Sequence, residues 1–151
     1  MKKRFIIIMI ALLLFSYNSI SAYEHHEEIT DIENLLNERI VIMNEFLYGY
    51  KDMELLKDKL DNIEAENLLE NDLDILFKVI DCPTDYELAM NVKVEKINTL
   101  ERSDEGLIIN ADLNWQMSGY DGEFNMIKNY DIKCIESDNQ MYLASLVILN
   151  D

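Results

Sequence analysis

One proline and four glycines in 151 residues leave no room for a collagen-like or proline-rich chain. Two cysteines cannot build a disulfide framework or a four-thiolate zinc site. Basic residues are scarce: 13 Lys and Arg stand against 30 Asp and Glu, for a formal net charge of -17. Nucleic acid and anionic lipid attract Lys and Arg, so neither is an expected partner. No glycine-rich phosphate loop, serine nucleophile elbow or spaced histidine metal motif occurs. What is plentiful is apolar side chain, 49% of residues, enough for a core and too much for a disordered acidic tail. The length implies a single domain.

The first 22 residues read as a secretory signal. Lys2, Lys3 and Arg4 precede the uncharged apolar run Phe5 to Phe15, and the polar stretch Ser16 to Ala22 ends in small residues. Eleven helical residues span about 16 Å, well short of a hydrocarbon core of about 30 Å. Cleavage after Ala22 would leave Tyr23 first; cleavage after Ser21 is the alternative. In a third arrangement residues 5 to 22 stay as a membrane anchor with the rest outside. No cysteine lies near the signal, so a lipoprotein is excluded. Removing residues 1 to 22 takes Lys2, Lys3 and Arg4 and no acid, which leaves a net charge of -20. The acids are spread through both halves, the pattern of a solvated, self-repelling surface. High Ile, Asn, Lys and Asp with little Gly and Pro point to an AT-rich bacterial source.

The remainder divides into a disordered leader over 23 to 29 and one domain over 30 to 151. Thr30 and Glu33 form a capping-box pattern. After them Ile32, Leu35, Leu36, Ile40, Met43, Phe46, Leu47 and Tyr50 recur in steps of three and four, one face of a long helix. Gly49 suits its end. Asp52 can cap a short helix bearing Met53, Leu55, Leu56 and Leu60. A third helical run covers Ile63 to Ile80, with Leu68, Leu69, Leu73, Leu76 and Phe77 on its face. Pro83 ends the helical half and pushes Cys82 out of helix.

Past Pro83 the period becomes two. Leu88, Met90, Val92 and Val94 alternate with polar or small residues until the phase slips near Lys96, the mark of a bulge. Leu107, Ile109, Ala111, Leu113, Trp115 and Met117 form the cleanest alternation, one face buried and one wet. Phe124, Met126, Tyr130, Ile132 and Cys134 mark a third strand, interrupted at Lys128. Met141 to Leu149 is apolar on both faces, which predicts a central, covered strand. Turns fall at 102 to 106, 118 to 122 and 137 to 140. Helices followed by an antiparallel meander of about four strands make an α+β domain with the helices packed on a curved sheet.

This order of elements is similar to the nuclear-transport-factor-2-like, or cystatin-like cone, superfamily. The residues that carry the likeness are the helix from Thr30 to Tyr50, the stop at Cys82-Pro83, and the long strands around Val92, Trp115 and Tyr130. The resemblance implies a cone whose mouth can hold a small apolar ligand. It embraces polyketide-cyclase-like and steroid-isomerase-like enzymes. It also embraces exported, non-catalytic domains, among them membrane-anchored extracytoplasmic parts of secretion and conjugation machines. The enzymes of that group place an Asp or His inside the cone. Here Asp112 falls on the polar strand face, and no histidine follows His26. No catalytic residue and no cofactor is therefore expected. The favoured function is an exported, non-enzymatic domain that binds a protein partner or a small apolar ligand. An anchored assembly component and a cone-type isomerase or cyclase are the alternatives.

Three sets of residues stand out as candidate sites. Trp115, Met117, Phe124, Met126, Tyr130 and Tyr142 could line an apolar pocket, against the reading of plain core. Tyr23, Glu24 and His25, with a free amine at Tyr23, would offer the square-planar nitrogen set that suits Cu(II) or Ni(II), against the reading of a polar leader. Cys82 and Cys134 could bridge in an oxidising compartment, against the reading of two small buried hydrophobes. The acidic pairs Asp72 and Asp74, Asp104 and Glu105, and Asp121 and Glu123 match no calcium loop and read as turns and solvated faces.

Overall fold

Ile32, Leu36 and Ile40 recur every four residues along a helix and are all buried, so one stripe of that helix faces a core. The computed structural model describes residues 26–49, 51–65, 67–81, 87–104 and 106–149. The chain divides into two units, 1–31 and 32–151. Of the first, residues 26–31 are described. They are helical, and the Thr30 hydroxyl donates to the His26 carbonyl at 2.8 Å. The helix α1 thus runs over residues 26–48, and Thr30 sits inside it rather than at its cap. The leader expected over 23–29 is helix from His26 on; residues 23–25 lie outside the described residues. Glu33, expected to reach back to Thr30, instead accepts from the Val94 amide at 2.7 Å.

The second unit holds the rest of the fold. After α1 come α2 (Met53–Asp61), α3 (Asn67–Asp81), β1 (Leu88–Ser103), β2 (Gly106–Gly119), β3 (Gly122–Ser137) and β4 (Gln140–Ile148). Asp52 caps α2 as its sequence position suggests, its Oδ1 accepting from the Glu54 and Leu55 amides at 3.0 and 3.1 Å. The third helix begins four residues later than the apolar pattern implies. Ile63 to Ala65 instead form a connector that turns at Ile63 and bridges to the sheet at Glu64.

The four strands form one antiparallel sheet in the order β1-β2-β3-β4. This is the α+β architecture, helices on a sheet, that the sequence predicts. Two-residue turns explain the hairpins: Asp138 and Asn139 both take positive φ, 51° and 62°, between β3 and β4. At the start of β2, Gly106 has φ of 138°, and a Cβ there would lie 2.1 Å from the Cys134 carbonyl oxygen. No larger residue fits where these two strands approach. Register shifts in β1 fall at Ala89/Asn91, Val94/Lys96 and Ile97/Thr99, so the slip near Lys96 is one of three. The first of them turns Met90 out to solvent, at 50% exposure, although alternation placed it on the apolar face. β3 runs unbroken through Lys128.

β4 is an edge strand, not the central strand its two apolar faces suggest. Its outer side is partly closed by the connector. The Leu143 amide donates to the Ile63 carbonyl and the Ala65 amide to the Leu143 carbonyl, both at 2.8 Å. Glu64 is therefore a one-residue parallel fifth strand. Leu143 and Ala144 are buried, while Val147 and Ile148 are about half exposed.

Two cores result. In one, Ile32, Leu36 and Ile40 of α1 and Leu68 of α3 pack on the sheet residues Val92, Leu107, Ile109, Leu113, Ile132 and Leu143. In the other, Ile42 and Phe46 of α1 meet Leu56 and Leu60 of α2, Ile63, and Leu76 of α3. Among the described residues no helix is long and apolar enough to cross a membrane.

Candidate functional site

Ile42 and Phe46 lie four apart on α1, and Leu56 and Leu60 four apart on α2, so the two helices meet along apolar stripes. Gly49 ends α1: its amide donates to the Glu45 carbonyl at 2.8 Å, and a Cβ at Gly49 would lie 2.5 Å from that oxygen. The chain then enters α2 through the Asp52 cap, leaving a gap between the end of α1 and the start of α2. The result is an open groove of about 490 Å³. Ile42, Phe46, Leu55 and Leu56 line it, with Tyr48 and Gly49 at one side and Glu45, Asp52 and Lys59 as its charged groups. Lys59 Nζ pairs with Glu45 Oε2 at 2.6 Å, tying α2 to α1. Tyr48 and Leu55 are 71% and 48% exposed, apolar surface left uncovered.

A second cavity, about 320 Å³, lies at the β2–β3 hairpin, lined by Glu87, Gly119, Tyr120, Asp121, Gly122, Glu123 and Phe124.

The most heavily buried charges sit elsewhere. Asp72 holds Arg39 by both oxygens, Oδ2 to Nε at 2.5 Å and Oδ1 to Nη2 at 2.7 Å. Glu64 Oε1 accepts from the same Nε at 3.0 Å. Glu64 and Asp72 are each 2% exposed. Burial works against the Arg39 charge, but the hydrogen bond and charge of Asp72, with Glu64 behind them, hold its pKa above the ordinary value. The acidic-pair pattern predicts a solvated Asp72, and the structure buries it; no motif in the sequence singles out Glu64 or Arg39. A signal was present for Asp72. It stands midway between Leu68 and Leu76, both buried, on the stripe that α3 turns inward.

The proposed apolar pocket divides. Opposite pairs Trp115 with Met126, Met117 with Phe124, and Ala111 with Tyr130 place five of the six residues on the helix-covered face of the sheet. Trp115 and Tyr130 are buried there, ring centroids 5.7 Å apart at 49°. Burial pushes the Tyr130 hydroxyl's pKa up. Tyr142 pairs with Ile135 and lies on the opposite face. Phe124 joins the hairpin cavity; Trp115, Met117, Met126, Tyr130 and Tyr142 line neither cavity. Asp112 lies on the outer face, as its place in the alternation indicates. It accepts from Asn129 at 2.6 Å and Asn98 at 3.2 Å, and the Asn129 bond lowers its pKa.

Cys134 is a free thiol sealed in the core, its pKa pushed up to about 12 by burial. A thiol so held is no nucleophile. Cys82, its suggested partner, lies outside the described residues. So do Tyr23, Glu24 and His25. Among the described residues no group of three His, Cys, Asp or Glu is placed to hold a metal ion.

No family model and no curated protein matches the chain. Solved structures similar to it include the intermembrane-space region of the chloroplast protein ARC6, at TM-score 0.47 and 10% identity over 82% of this chain and 97% of that one. A protein of unknown function from Bacteroides thetaiotaomicron aligns at TM-score 0.44 and 16% identity, over 89% of this chain and 98% of that one. A de novo designed β-sheet protein aligns at TM-score 0.36 and 9% identity, over 81% and 90% of the two chains.

Proposed function

We propose that this chain is an exported binding domain of the cone type, without a reaction of its own, and that the groove between α1 and α2 takes a small apolar molecule, neutral or cationic. The observation that carries the reading is the groove of about 490 Å³ between Phe46 and Leu55. Ligand pockets commonly hold about 300–1,000 Å³ and combine apolar walls with a few polar groups. Lys59 is matched by Glu45, which leaves the Asp52 carboxylate on the rim of a chain with formal net charge -17. An anionic head group would meet like charge there, and a cationic one would not. Arg39, Glu64 and Asp72 are bonded in an interior ion cluster and line neither cavity, so the groove is read from its apolar walls. Export rests on the basic, apolar and small-residue series of residues 2 to 22.

Calorimetric titration with dodecyltrimethylammonium, below its micelle concentration, is expected to show one site. Dodecanoate should bind more weakly. Leu55→Asp should weaken the cationic ligand by about tenfold or more, while the fold survives because Leu55 is half exposed. Undiminished binding by that variant, or no heat with either amphiphile, overturns the groove as the site. A peptide that competes through an apolar residue would make the occupant a partner's side chain.

A further inference from the structure

The connector at Ile63 to Ala65 is fastened twice. Its backbone pairs with Leu143 on both sides of Glu64, and the Glu64 side chain points into the ion cluster. One guanidinium there faces two buried carboxylates. Asp72 uses both oxygens on it, whereas Glu64 uses one; Glu64 Oε2 is buried with no hydrogen-bond partner among the described residues. With both acids ionised the cluster would carry surplus negative charge and an orphaned anionic oxygen in a poorly polar interior. A proton on Glu64 removes the surplus charge and turns its carboxyl into a donor that can share a hydrogen bond with Asp72.

We propose that Arg39, Glu64 and Asp72 form a proton-held latch: protonated Glu64 keeps the connector on β4, and loss of the proton releases the connector and uncovers the outer edge of that strand at Leu143.

The groups that act on Glu64 come from each neighbouring element. Arg39 of α1 favours its anion, and Asp72 of α3 favours its acid. Tyr130 of β3 lies in the field of Arg39, and β4 offers only the backbone of apolar Leu143 at this point. Burial, with Asp72 acting the same way against Arg39, pushes Glu64 up to about 8. An unfolded glutamate titrates near 4.5, so between these values the native state holds the extra proton. The stability it supplies is full below about 4.5 and is lost as pH rises through about 8. At the start of the connector Gln140 Nε2 donates to the Asn62 carbonyl at 2.8 Å, a neutral contact that can serve as the hinge. Released, Leu143 would present a free amide and carbonyl beside exposed Val147 and Ile148, an edge open to an added strand.

The test is NMR on the full chain between pH 5.5 and 9.5. The Glu64 carboxyl carbon should titrate near the upper end of this range, and the Ala65 and Leu143 amides should shift with the same midpoint. Exchange of the Ala65 amide, divided by its intrinsic rate, should speed by about tenfold from pH 6 to 9 in the native protein and stay level in Glu64→Gln. A Glu64 midpoint in the ordinary carboxylate range overturns the proposal. So do Ala65 and Leu143 amides that ignore the titration, or equal exchange profiles in the two proteins. If Glu64→Gln does not fold, the native carboxyl titration and its two amides decide alone.

Discussion

The two edges of the sheet are covered by different means. Along β1, side chains of α1 do the work: Asn37 donates to the Val92 carbonyl and accepts from its amide, both at 2.9 Å, Asn44 donates to Ala89 at 2.8 Å, and Glu33 accepts from Val94. Along β4 the cover is backbone, one residue of connector held down by a buried ion cluster. Side-chain cover is distributed over three separate contacts, so loss of one leaves the others. Backbone cover is concentrated, and it stands or falls with the charge state of what lies beneath it. Open edges invite strand addition, and this fold guards one edge permanently and the other conditionally.

That contrast can be attacked from both sides. The largest effect is expected at the β4 side: Arg39→Ala strands the buried Asp72 carboxylate beside the Glu64 carboxyl and should cost about 3–5 kcal/mol in urea unfolding. Next comes Asn37→Ala, which leaves both polar groups of buried Val92 unpaired; a loss of about 2 kcal/mol is expected from the same measurement. Asn44→Ala removes one donor and should cost about 1 kcal/mol. Smallest is Glu33→Gln, which keeps an acceptor for Val94 and should change stability by about 0.5 kcal/mol or less. Across pH 6 to 9 the penalties of the three β1-side variants should stay constant, because none of their contacts needs the Glu64 proton. A penalty for Asn37→Ala that grows with pH would merge the two edges into one system.

Periodicity made the division into helices and strands legible, and β2 above all: its alternation from Leu107 to Trp115 is the burial pattern itself. Local patterns failed where a contact distant in sequence decided the outcome. Thr30 and Glu33 have the spacing of a cap, yet helix already precedes Thr30, and Glu33 serves a strand sixty-one residues on. β4 is apolar on both faces, which a central strand and a half-covered edge share. The groove was out of reach because its walls look like ordinary core stripes; only the turn at Gly49 and Asp52 decides that Leu55 stays uncovered. Glu64 and Asp72 are two acids among thirty, and nothing local marks Glu64 as buried.

The tilted ring pair of Trp115 and Tyr130 has an optical consequence. Trp115 is the one tryptophan of the chain and is 7% exposed. Its emission should be blue-shifted and fed by energy transfer from the tyrosine 5.7 Å away. The chain thus contains a reporter on the sheet-side core that does not view the cluster of Ile42, Phe46 and Leu56. Fluorescence and far-ultraviolet dichroism, recorded on one sample, would separate melting of the sheet from loosening of the helices without any added dye.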